Sequence, residues 1–136
     1  MLTLNLLPDT LAICRLSPDA EVPDWALAAD FYSITRTADE LSIVCHQRNV
    51  PNDVQHEGDW RCLKVQGPLP FSMIGVMASL AVPLADAGIS LFVISTFDTD
   101  YLLVKQDTLQ AASAALRRAG HSITGYRDDG TTISVQ

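Results

Sequence analysis

Trp60-Arg-Cys-Leu-Lys-Val65 alternates apolar with polar residues, Gly67-Pro-Leu-Pro70 stops it, and a different rhythm follows. From Ser72 to Ala87 the apolar residues Ile74, Met77, Ala78, Ala81, Leu84 and Ala85 recur at helical spacing, with Ser72 placed to cap the helix and Gly88 to end it. Pro83 falls inside that helix and removes the bond to Ser79, which predicts a kink or an early end near Val82. Ile89 to Thr96 and Tyr101 to Lys105 read as strands around Phe97-Asp-Thr-Asp100. A second helix follows over Thr108 to Ala119, capped by Asp107 and stopped by Gly120, and His121 to Thr124 supplies a last strand. The order from Trp60 is βαββαβ. This predicts an α+β, ferredoxin-like unit, a four-stranded antiparallel sheet with both helices on one face.

Upstream, the same order is visible in reduced form. Leu11 to Leu16 is a strand ended by Ser17-Pro18-Asp19, Pro23 to Ala29 allows about two helical turns, and Phe31 to Thr35 with Leu41 to His46 forms a hairpin. Arg48 to Asp59 is polar, carries Pro51 and reads as a loop. Phe31, Thr35, Asp39 and Leu41 recur as Phe92, Thr96, Asp100 and Leu102, each pair 61 apart. The chain is therefore read as a degenerate first unit, 1–59, and a fuller second unit, 60–136. Beyond the second, the turn Asp128-Asp-Gly130 and Thr131 to Val135 suggest one more strand.

Composition narrows the function. The formal charge of −7, with 9 basic residues scattered along 136, offers no cationic stripe for a nucleic-acid backbone. Met1 to Leu7 lacks a basic leader, and the stretch Val65 to Val82 is broken by Gly67, Pro68 and Pro70, so neither a signal peptide nor a membrane span is expected. Cys14, Cys45 and Cys62 are odd in number and embedded in apolar alternations. That fits reduced, buried thiols and a cytoplasmic protein. With no CxxC pair and with His46, His56 and His121 dispersed, neither a metal site, nor a bound cofactor, nor a Cys/His nucleophile is expected. There is no Ser-His-Asp arrangement or phosphate loop either, so no catalytic residue is assigned and an enzyme is not expected.

Gly67-Pro-Leu-Pro-Phe71, Gly75, Pro83-Leu-Ala85, Gly88-Ile-Ser90 and Ile94-Ser-Thr-Phe-Asp-Thr-Asp100 together resemble the second ACT unit of the CASTOR-like amino-acid sensors and their bacterial relatives, which carry tandem ACT domains. The resemblance covers Gly67 to Val104. It implies a non-catalytic regulatory protein that binds an amino acid or similar metabolite at an interface between ACT units, as a homodimer. It places contacts on the strand-to-helix turn and on the Ser-Thr-Phe-x-x-Asp hairpin.

The chemistry of those residues fits such a role. The first amides of a helix are free to receive a carboxylate, Gly75 would let a ligand approach the backbone, and Ser72 and Met73 lie on the same turn. Thr96 offers a hydroxyl, Asp100 a carboxylate for an ammonium group, and Phe97 a wall. Ordinary roles exist for each: Ser72 as a cap, Asp100 as a turn residue, Thr96 as a β-former and Phe97 as core. Arginine-sensing members carry an acidic pair just before the glycine of that turn, where this chain has Ser72-Met73 ahead of Ile74 and Gly75. A smaller or less cationic amino acid is as well suited as arginine. The competing reading is a ligand-free module that dimerises or docks on a partner enzyme.

Overall fold

The computed structural model describes residues 1–70, 73–126 and 132–134. The chain divides into two compact units, a larger one of Met1–Pro8 with Arg61–Gln136 and a smaller one of Asp9–Trp60. Residues 1–8 thus cluster with the C-terminal residues and not with 9–59. The cause is one long strand, β1 (Thr3–Leu16), whose first half belongs to the larger unit and whose second half belongs to the smaller.

In the larger unit the elements are β4 (His56–Val65, from Arg61 on), α1 (Val76–Asp86), β5 (Phe92–Ser95), β6 (Asp100–Lys105), α2 (Leu109–Arg118), β7 (Ser122–Tyr126) and β8 (Thr132–Ser134). This is the expected βαββαβ order with one extra strand after it; the turn Asp128-Asp-Gly130 lies outside the described residues. β5 and β6 form an antiparallel hairpin. The start of β1 lies against β7 in parallel register, Thr3 opposite Ser122 and Leu6 opposite Gly125, a pairing that the sequence pattern gave no sign of. Alternate residues of the strands, Leu4, Leu6, Leu63, Val65, Leu102, Val104 and Ile123, share one buried cluster with Leu80 and Leu84 of α1 and Ala112, Ala115 and Leu116 of α2. Both helices therefore cover the same face.

The helix ends differ from the sequence reading. α1 begins after Gly75, which sits at φ 78° as the capping residue, so the helix starts later than Ser72, itself outside the described residues. α2 is preceded by a 3₁₀ turn over Gln106–Thr108 that contains Asp107, and Thr108 takes the cap position, its hydroxyl donating to the Lys105 carbonyl at 3.0 Å. Neither does α1 end at Val82. An internal proline costs about 3 kcal/mol, whereas fully burying Leu80 and Leu84 returns roughly 1.5–3 kcal/mol each. The carbonyl of Ser79 that Pro83 leaves without its helical donor is 3.0 Å from Nε2 of buried His121, while Nδ1 of the same ring accepts the Leu2 N–H at 3.1 Å. That pair of bonds requires the neutral ring with its proton on Nε2.

The smaller unit keeps the order but not the helices. The second half of β1 pairs antiparallel with β3 (Leu41–His46), which pairs with β2 (Ser33–Arg36). A 3₁₀ turn, Asp24–Leu27, stands where α1 stands in the larger unit, and another, Gln47–Asn49, matches the 3₁₀ turn that precedes α2, with no α-helix after it. Its own cluster comprises Ala12, Cys14, Ala26, Leu41, Ile43 and Cys45. The segment read as a loop, Arg48 to Asp59, ends early because β4 already begins at His56.

The two hairpins superpose by number, with a shift of 59 and not 61. Ser33 opposite Val44 and Arg36 opposite Leu41 become Phe92 opposite Leu103 and Ser95 opposite Asp100, and 92 − 33 and 103 − 44 are both 59. The 3₁₀ turns 47–49 and 106–108 keep the same shift. Thr37 binds Glu40 across its turn as Thr96 binds Thr99. A slip of two residues leaves every side chain on the same face of a strand, which is why the false register also matched.

All three cysteines are free and buried. Burial alone pushes the Cys62 thiol up to about 12, and a thiol–thiol hydrogen bond between Cys14 and Cys45 raises the former and lowers the latter. The folded pKa of Cys62 lies above its unfolded value, so its contribution is complete below about pH 9 and is lost as pH climbs toward 12. No helix among the described residues is long and apolar enough to cross a membrane.

The Pro83–His121 arrangement predicts a measurable coupling. His121→Ala should cost about 1–3 kcal/mol by stranding Ser79 O and Leu2 N–H. The loss should be smaller in a Pro83→Ala background, where residue 83 regains an N–H for Ser79. Denaturant melts of the four proteins measure it, and equal losses in both backgrounds would refute the role given to His121.

Candidate functional site

The hairpin between β5 and β6 is closed by Ser95 opposite Asp100, with Thr96, Phe97, Asp98 and Thr99 at its tip. Its shape is fixed from within. The Thr96 N–H donates to Thr99 O at 2.8 Å, the Thr96 hydroxyl donates to the same carbonyl at 3.0 Å, and the Thr99 N–H lies 3.3 Å from that hydroxyl. Thr96 is thus largely consumed by the turn.

The tip is tied to the strand-to-helix turn by two bonds. Thr99, buried, donates its hydroxyl to Val65 O at the end of β4 at 2.7 Å, and the Leu69 N–H donates to Asp98 O at 2.7 Å. Gly67 lies between them. A Cβ there would come within 3.1 Å of Asp98 O, Leu69 N and Thr99 Cβ, so a side chain at this position would push the tip and the turn apart by a few tenths of an ångström. A Cβ at Gly75 meets nothing within 4 Å, so no protein atom crowds its backbone. Within the chain itself, Gly75 is favoured by its positive φ.

These ties leave a recess of about 210 Å³, walled by Leu69, Pro70, Met73 and Val76 on one side and by Ser95 through Asp100 on the other. Four expected residues, Met73, Thr96, Phe97 and Asp100, line it together. Gly75 stands beside it as the cap of α1, and Ser72 is outside the described residues. Ser95 was missed. Its hydroxyl donates to Asp100 Oδ1 at 2.7 Å, which orients the carboxylate and leaves Oδ2 available. The hairpin motif already contains Ser95, and the strand register, by placing it opposite Asp100, supplies its role.

Among the residues lining the recess, Asp98 and Asp100 are acidic and none is basic. Val76, at the first position of α1, presents an N–H with no helical acceptor, and Gly75 supplies no side-chain cap. One wall therefore attracts cations and the other carries free amides at the positive end of a helix. Phe97 is 78% exposed and neighbouring Ile74 is 92% exposed, so neither is core.

Residues 55–118 match the family model of the ACT domain, and residues 9–53 match a second model described as an N-terminal domain. The cytosolic arginine sensor for mTORC1 subunit 1 of Homo sapiens is 34% identical over 96 residues, covering 65% of this chain and 29% of that protein. The Mus musculus protein is 34% identical over 100 residues, 68% of this chain and 30% of its own. The chain thus spans less than a third of the length of these relatives. A protein of Agrobacterium tumefaciens known from its crystal structure is 44% identical and covers 91% of this chain and 92% of its own, with a TM-score of 0.87. The regulatory subunit of aspartate kinase from Thermus thermophilus shares the fold, at 14% identity over 83% of this chain and 94% of its own, with a TM-score of 0.57. The fold and the match over residues 55–118 define an ACT-type unit. The chain belongs to the ACT-domain family and is related to the CASTOR-type amino-acid sensors.

The two glycines should respond differently to substitution. Gly75→Ala should cost about 1–2 kcal/mol from left-handed backbone strain, and Gly75→Asn less, since asparagine tolerates that region. Gly67→Ala should disturb the recess itself, moving the amide resonances of Asp98 and Thr99. Equal losses for Ala and Asn at 75 would show that contact, and not φ, governs that position.

Proposed function

We propose that the recess binds a free amino acid, and that the chain is a non-catalytic regulatory protein. The observation that carries this is the pairing of unopposed carboxylates, Asp98 and Asp100, with the open amide end of α1 around a volume of about 210 Å³. An α-amino acid has the complementary halves: its ammonium meets Asp100 Oδ2, and its carboxylate meets the N–H groups of the first turn of α1. The volume is below the roughly 300–1,000 Å³ of drug-sized sites and fits a small metabolite.

The relatives' name supports the ligand class, since it describes them as arginine sensors. Specificity for arginine is not assumed, because Ser72-Met73 replaces the acidic pair that would meet a guanidinium. Phe97 and Ile74, apolar and exposed at the rim, favour a second copy closing over the recess in a homodimer. The buried free thiols suit a reducing, cytoplasmic setting.

A thermal-shift screen of the twenty amino acids, run with a light-scattering mass measurement, tests this reading. A ligand at a hundred times its dissociation constant adds about 2.7 kcal/mol, a melting shift on the order of ten degrees for a chain of this size. Asp100→Ala should abolish the shift while changing the melting temperature of the free protein little, because its carboxylate is only half-buried. A dimer with no shift for any amino acid would favour the ligand-free docking module, and a monomer with no shift would remove the sensor reading.

A further inference from the structure

Asp9, Asp30 and His46 are separated by 21 and 16 residues, so no spacing motif links them. The smaller unit brings them together. Antiparallel pairing sets Leu11 of β1 opposite His46 of β3, and Asp9, two residues before Leu11 and on the same face, reaches the end of β3. Asp30 arrives from the segment ahead of β2. Nε2 of His46 lies 3.5 Å from Asp9 Oδ2 and 3.7 Å from Asp30 Oδ1, and donor atoms of all three residues fall within 4.8 Å of one another.

These separations are longer than good hydrogen bonds. They match two ligands of one ion: bonds of roughly 2.0–2.1 Å in tetrahedral array place donor atoms about 3.3–3.5 Å apart. The imidazole is only 3% exposed, so Nε2 is held in place facing both carboxylates, and its Nδ1 is buried without a hydrogen-bond partner. Arg48 Nη1, 3.7 Å from Asp9, approaches the other carboxylate oxygen, Oδ1, and is mostly exposed. It does not block Oδ2.

We propose that Asp9, Asp30 and His46 bind a divalent transition-metal ion of the zinc class. One nitrogen and two carboxylate oxygens suit zinc or cobalt, whereas magnesium and calcium prefer all-oxygen sets. Three protein ligands leave a fourth position open to solvent or to a further ligand. Coordination through Nε2 puts the ring proton on Nδ1, where no acceptor awaits it. Loss of such outer-shell support weakens metal sites by roughly 10–100-fold, so the ion should bind correspondingly less tightly than at a fully supported site. The rival is a protonated His46 held between two aspartates, which needs no metal.

Calorimetric titration of the whole chain with zinc chloride at neutral pH should show one saturable site. Cobalt chloride should give the visible absorption of a coordinated ion, and magnesium chloride should give neither signal. Asp30→Asn should weaken zinc binding at least tenfold while leaving the melting temperature of the metal-free protein unchanged, because Asp30 is 93% exposed. His46→Gln should abolish the cobalt absorption. Absence of saturable binding, or binding unaffected by Asp30→Asn, would overturn the proposal. Both outcomes are independent of the amino-acid recess, whose residues are different.

Discussion

The larger unit's candidate site depends on a pair of hydrogen bonds, from Thr99 Oγ1 to Val65 O and from Leu69 N–H to Asp98 O. They lock the hairpin tip onto the turn that leads into α1. Each is worth only about 1 kcal/mol net, but the first is buried and would strand its partners if broken. Their geometry shapes the rest: Gly67 sits where a side chain would be crowded, Asp98 and Asp100 border the recess, and Val76 at the start of α1 lines it.

The smaller unit shows what happens to the same hairpin when that context is missing. With the shift of 59, Thr37 keeps the turn role of Thr96 and Asp39 that of Asp98, but Leu41 stands in place of Asp100 and Ala38 in place of Phe97. Leu41 is fully buried, and the segment before the hairpin holds a four-residue 3₁₀ turn instead of a helix. Arg36, equivalent to Ser95, donates to the carbonyls of Pro18 and Ala20 and so ties the first turn to the hairpin with its own side chain. The hairpin was retained in both units. The combination of carboxylate and open helix end occurs in the larger unit alone among the described residues.

Periodicity made α1, α2 and the β5–β6 hairpin legible as elements, but not the buried face of α1: Leu80, absent from the expected stripe, is fully buried, whereas Ile74, Ala78 and Ala85 of that stripe are exposed. What escaped was set by partners distant in sequence. The parallel pairing of β1 with β7, the replacement of a helical donor by His121, and the assembly of Asp9, Asp30 and His46 all join residues far apart along the chain. The partner of Ser95, the first residue of the hairpin motif, emerged only with the register, and the crowding at Gly67 was hidden because a glycine in a Gly-Pro turn already has a sufficient local explanation. Gly75 differs from Gly67: within the chain its positive φ at the cap of α1 accounts for it, and the space around it is open.

The most direct test of the central claim is a backbone amide titration by heteronuclear NMR with the amino acid that stabilises the protein best, or with the twenty in pools. Saturable shifts concentrated on Val76 and on Phe97, Asp98 and Asp100, lost in Asp100→Ala, are the result the account predicts. Saturable shifts elsewhere, or none at any concentration up to tens of millimolar, would contradict it.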